Sequence, residues 1–139
     1  MWRASASYGC TIHVDGFMKS VVTIVVIALQ LIAGQLLGFG GAMAIGVGNG
    51  WELLVFVIGN TVGVWGVGAL ADRLQGNWNW ALAKMRLGTT AVCATLGMGL
   101  ILMTPPTGFS QVAYPLIGAL VGYYVATIVT RSGRLRTSH

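Results

Sequence analysis

Leu87–Thr130 reads LGTTAVCATLGMGLILMTPPTGFSQVAYPLIGALVGYYVATIVT, 44 residues without one charged side chain. A helix needs about 20 residues to cross the ~30 Å hydrocarbon core of a bilayer, so this run is too long for one crossing and long enough for two. Pro105-Pro106-Thr107-Gly108 divides it, because proline breaks the helix ladder and glycine permits a turn. Upstream, Ser20–Gly50 and Leu53–Ala71 are also uncharged. At ~1.5 Å per residue, Leu53–Ala71 covers roughly 28 Å.

The expected fold is therefore all-α integral membrane, with four transmembrane helices arranged as two consecutive helical hairpins. The helices are expected at about 19–44, 52–72, 86–104 and 112–131. They form a transmembrane domain over 18–131. Residues 1–17 make a polar N-terminal extension, and 132–139 a basic C-terminal tail. The chain has 139 residues, of which 55% are hydrophobic and only 8% charged, well below the charge content of a soluble domain. No expected helix has a polar face to turn toward water, which excludes a soluble protein.

The eight basic residues fix an orientation. Arg3 and Lys19 precede the first apolar stretch, Arg73, Lys84 and Arg86 lie between the second and third, and Arg131, Arg134 and Arg136 follow the fourth. The other two connections carry no Lys or Arg. Basic residues stay on the cytoplasmic side of a membrane, so both termini and the central loop are expected there, in the cytoplasmic membrane of a bacterium. The net charge of +5 does not imply nucleic acid, because these residues sit where they anchor helices and meet anionic headgroups, with no basic stripe interleaved with aromatics.

Cys10 and Cys93 are expected at different depths, without a disulfide between them. Lys19 and Ala42-Met43-Ala44 imitate a signal peptide, but the apolar run is too long for one and is expected to be retained. Helix one is long enough to require a tilt or a bend, with Gly38-Phe39-Gly40-Gly41 the weak point. Gly46–Gly50 is expected to turn. Trp51 anchors helix two, and Glu52 suits its first turn. Pro115 is expected in the first turn of helix four. In the central loop, Trp78, Trp80 and Lys84 suggest a segment lying at the membrane surface as part of an aromatic belt.

Small residues recur at every fourth position. Gly34 and Gly38 do so in helix one, Gly59 and Gly63 in helix two, Gly118 and Gly122 in helix four. This spacing lets two helix backbones touch, a main source of association in lipid, within the chain or against a partner. Ile58-Gly59-Asn60-Thr61-Val62-Gly63-Val64-Trp65 also parallels Ile117-Gly118-Ala119-Leu120-Val121-Gly122-Tyr123-Tyr124. The two hairpins therefore look like copies running in the same direction, although glycine-rich apolar helices resemble one another by chance.

Gln30, Gln35, Asn60 and Thr61 are the chief polar groups within the expected spans, with Thr89, Thr90 and Thr95 beside them. Amides away from water need protein partners, so interhelical hydrogen bonds are expected. No Asp, Glu, Lys, Arg or His is expected inside a span; Lys19, Glu52, Asp72, Arg86 and Arg131 fall only at the ends. Proton- and ion-coupled carriers usually place a charged group near the midplane. The small multidrug transporters have four helices and similar length but use an intramembrane carboxylate, for which there is no counterpart here. Neither His13 nor His139 lies on a span, so no haem or pigment ligand is expected, and His13 with Asp15 is too few for a metal. Asp72-Arg73 reads as an interfacial ion pair. With Asn77 it matches the Glu-Arg and Asn signature of glutathione-transferase-type membrane enzymes too loosely to imply catalysis.

No catalytic, cofactor or metal site is therefore expected. The functional expectation is a non-catalytic accessory subunit of a larger membrane complex, with an energy-transducing electron-transfer complex, respiratory or photosynthetic, as host. Its partners are other integral membrane subunits and lipids, with no nucleic acid. The alternative is a small self-associating channel or carrier for a small or neutral solute, lined by Gln30, Gln35, Asn60 and Thr61. Fluoride channels have comparable size and four helices, but they often insert both ways, unlike a chain with this charge bias.

Overall fold

Long apolar runs without a breaker fold as helices, because lipid offers no partner for an open backbone. The computed structural model describes residues 9–46, 51–103 and 108–136, with side chains for 16–46, 51–101, 103 and 113–130. It contains four helices: α1 (Gly9–Ile45), α2 (Trp51–Leu74), α3 (Trp80–Met103) and α4 (Gly108–Arg136). Of the turns expected at Gly46–Gly50 and Pro105–Gly108, residues 47–50 and 105–107 lie outside the described residues, as do the two ends of the chain.

Gly16–Ile45, Trp51–Leu74 and Ala113–Thr130 are long and apolar enough to cross a membrane, which points to a membrane protein. Among the described residues, helix α3 is not one of these three; its first turns carry Lys84 and Arg86.

Three helices begin or end well away from the expected bounds. Helix α1 starts at Gly9 rather than near 19 and runs unbroken through Gly38–Gly41, for 37 residues or about 55 Å. Ser20 and Thr23 near its start return their hydroxyls to the carbonyls of Gly16 and Lys19, so they do not compete with the ladder. Helix α3 starts at Trp80 rather than 86, because Asn79 caps it: its side-chain oxygen accepts from the backbone N–H of Ala81 and Leu82 at 3.0 and 3.4 Å. Helix α4 extends from Gly108 to Arg136 instead of 112–131. Pro115 therefore lies in its third turn, not its first; it is fully buried, and bundle helices tolerate such a proline where neighbours enclose it.

Helix α2 closes in a Schellman motif. Gly76 takes φ +70°, its N–H donates to Arg73 O, and the Asn77 N–H donates to Asp72 O. This turn sets the path from α2 into α3.

The strongest packing joins α1 to α2 and α3 to α4, so each hairpin is a unit. Helices α2 and α4 meet in the middle, while α1 and α3 do not touch among the described residues. Val64, Ala94, Leu116, Ala119 and Tyr123 form the core. Ile24, Ile32 and Leu36 of α1 and Val92, Leu96 and Leu100 of α3 face outward, as lipid-facing residues do. The sequence repeat has a structural counterpart. Ile58 and Val62 of α2 are exposed like Ile117 and Val121 of α4, while Asn60 and Ala119 are both fully buried.

Candidate functional site

In the first hairpin, glycine meets glycine. A Cβ built on Gly63 would stand 2.6 Å from the Gly34 Cα, and one on Gly59 would stand 2.5 Å from the Gly38 nitrogen. No side chain fits there, so α1 and α2 approach backbone to backbone. In the second hairpin, Gly118 faces the Cys93 carbonyl, Gly97 faces the Tyr114 carbonyl, and a Cβ built on Gly122 would stand 2.5 Å from the Thr89 carbonyl oxygen. All six glycines singled out in the sequence thus lie between helices of this chain, so a partner would have to use other surfaces.

The polar side chains sort by partner. Gln30 is fully buried; its Nε2 donates to Val64 O at 2.9 Å, and its Oε1 accepts from the Tyr124 hydroxyl at 3.1 Å. One side chain therefore ties α1 to both central helices. Asn60 is also fully buried, and its Nδ2 donates back to Phe56 O in the preceding turn at 2.9 Å. Asn60 Oδ1 and Thr61 Oγ1 are buried without a hydrogen-bond partner among the described residues. A Cβ on Gly34 would lie 3.2 Å from Asn60 Oδ1, so that oxygen sits against the α1 backbone. Gln35 is half-buried on α1 and engaged in an interaction of its own. Gln30 and Asn60 lie inside the α1–α2 packing, whereas Thr61 borders a groove on the other side of α2. The four expected path-lining residues therefore do not share one opening.

That groove runs between α2 and α3 and encloses about 500 Å³. Leu54, Val57, Ile58 and Val62 line it from α2, Ala91 and Met98 from α3. Its lining is almost wholly apolar, and Thr95, which also borders it, returns its hydroxyl to Ala91 O.

The feature that sequence reasoning missed is a charged knot at the end of the bundle carrying the α2–α3 turn. Asp72 pairs with Arg86, not with its neighbour Arg73. Successive helix residues point about 100° apart, so Asp72 and Arg73 could not share a face. Arg86 Nη1 also meets the Tyr123 hydroxyl at 3.3 Å, and the guanidinium lies 5.4 Å from the centre of that ring. The Arg86 side chain is 12% exposed and that of Asp72 30%. Trp65 Nε1 donates to Ala83 O at 2.9 Å, fixing the start of α3 against α2. Asp72 is the nearest acid to the three central basic residues, which was the available signal; the Schellman turn that aligns it with Arg86 was not visible beforehand.

Trp78 and Trp80 approach each other at 5.9 Å, and Lys84 Nζ lies 5.4 Å from the centre of the Trp80 ring. These residues form the α2–α3 turn and the first turn of α3 rather than a separate surface segment. Among the described residues, no three His, Cys, Asp or Glu side chains gather as metal ligands do. Cys93 is a free, half-buried thiol on α3, and the disulfide question involves Cys10, whose side chain lies outside the described residues. Comparison of the chain with protein-family models, with curated proteins and with solved structures finds no match.

Proposed function

We propose that this chain is a non-catalytic subunit of a larger membrane assembly, crossing the bilayer four times with both termini cytoplasmic. The observation that carries this reading is the apolar α2–α3 groove of about 500 Å³, a lipid-level depression that receives a hydrophobic partner. The glycine faces cannot serve that role, because the chain's own helices fill them. Gln30 supports a structural part as well, since both ends of its amide bond to other helices of the chain.

The host that suits a small subunit without charge deep in its spans is an energy-transducing electron-transfer complex in a bacterial cytoplasmic membrane. The carrier reading has less support, because Gln30 and Asn60 are sealed between helices and Thr61 borders a different space.

Solubilisation in mild detergent followed by affinity purification tests the proposal. The expected result is a stoichiometric membrane partner that is lost when Ile58→Trp or Val62→Trp fills the groove. A lone monomer from native membranes would remove the basis for the proposal. Solute flux through liposomes holding only this protein, abolished by Asn60→Leu, would favour the carrier instead.

A further inference from the structure

The charged knot stands beside an opening that no helix fills. Helices α1 and α4 touch only sparingly, and a cleft of about 270 Å³ lies between them. Val22 and Val26 of α1 and Ile128 of α4 form apolar walls, while Asp72, Arg86 and Tyr123 form a polar floor. Val22 and Ile128 are also exposed on the outside of the bundle, so the cleft can be reached from the lipid.

Arg86 is only partly used by the protein. Its Nη1 serves both Asp72 and Tyr123, whereas its Nε is buried without a hydrogen-bond partner among the described residues. A buried guanidinium N–H without an acceptor is unfavourable, and Arg86 borders the cleft, where a guanidinium can hold a carboxylate or phosphate through charge-assisted bonds. Lys19 is exposed about one helical turn before Val22 on the same face of α1. Arg86 and Lys19 against Asp72 leave one excess positive charge.

We propose that this cleft binds an anionic amphiphile. A phosphate or carboxylate head meets Arg86 at the cleft floor under the field of Lys19, and the hydrocarbon chain lies along Val22, Val26 and Ile128. This site depends on the chain being in a membrane, not on its having a subunit partner. Its failure is thus distinct from failure of the assembly proposal.

The test uses the full-length protein purified in a neutral detergent. Phosphatidylglycerol, oleate and oleyl alcohol are titrated, with binding read by native mass spectrometry and by melting temperature. Oleate and oleyl alcohol differ only in the head, so oleate should bind about tenfold more tightly through its charge-assisted bonds. Tighter binding of phosphatidylglycerol identifies a bilayer phospholipid, and tighter binding of oleate a free fatty acid. Arg86→Gln leaves Asp72 unpaired and endangers folding, so the decisive variants are the exposed ones, Val22→Trp and Lys19→Gln. Both should weaken binding several-fold while leaving the ligand-free melting temperature unchanged. Equal affinity for all three probes, or undiminished binding in Val22→Trp and Lys19→Gln, overturns the proposal.

Discussion

Gly63 and Gly66 lie less than one turn apart on α2 and face different surroundings. A Cβ on Gly63 would press on the backbone of Gly34, whereas one on Gly66 meets nothing within 4 Å. Backbone cannot swing aside as a side chain can. Gly63→Ala should therefore cost about 1–3 kcal/mol, as overpacking of tight interiors does. Gly66→Ala should range from neutral to about 1 kcal/mol stabilising, because alanine is the better helix former. Chemical or thermal unfolding in one detergent compares the pair; equal melting temperatures would dismiss the backbone contact. Gln30→Leu poses a different question. It leaves the Tyr124 hydroxyl without the Gln30 acceptor and removes the donor to Val64 O. Interhelical hydrogen bonds in membranes contribute about 0.6–2 kcal/mol, so a loss in that range is expected. A Tyr124→Phe, Gln30→Leu double-mutant cycle should show coupling between the two side chains, and simple additivity would count against their bond.

At the scale of the element, the start of α3 is the most informative. Charge placed the beginning of this helix at 86, after the basic residues, yet the helix begins at Trp80 under the Asn79 cap. Lys84 and Arg86 are tolerated on it because each finds a companion: Lys84 stands over the Trp80 ring, and Arg86 pairs with Asp72. Asn79→Ala should cost about 1 kcal/mol and speed amide hydrogen exchange at Ala81 and Leu82, the two N–H groups it caps. Unchanged exchange there would mean that the tertiary contact of Trp65 with Ala83, rather than the cap, holds this end. The existence of four helices was legible in the sequence because uncharged runs of such length have no other solution in lipid. Their ends were not, since capping by Asn79 and pairing by Arg86 depend on contacts that a single run does not encode. The glycine rows were legible as packing faces. Which row meets which, and that Gly97 joins the second hairpin against the Tyr114 carbonyl, required the hairpin registers.

For the whole molecule, the prediction concerns the number of crossings: among the described residues α1, α2 and α4 are long and apolar enough to span. The packing of α3 answers for its composition. Thr89 lies against Gly122, Cys93 against Gly118 and Gly97 against Tyr114, an antiparallel register along the heart of α4. A helix fastened at three successive levels to a neighbour apolar enough to span supports our proposal that both cross. Its threonines are suited to this, because Thr89, Thr90 and Thr95 each donate to carbonyls of their own helix. In the four-crossing topology that we propose, the two ends of the chain lie on one side, together with the α2–α3 turn where the charged knot lies. Single cysteines placed at Asn77 and Ser138, in a chain with Cys10 and Cys93 replaced by serine, should react with a membrane-impermeant thiol reagent only after the cytoplasmic side is opened. One placed at Gly48 should react in intact cells. If the Asn77 and Ser138 cysteines report opposite sides, only one of α3 and α4 crosses, and the four-crossing topology falls.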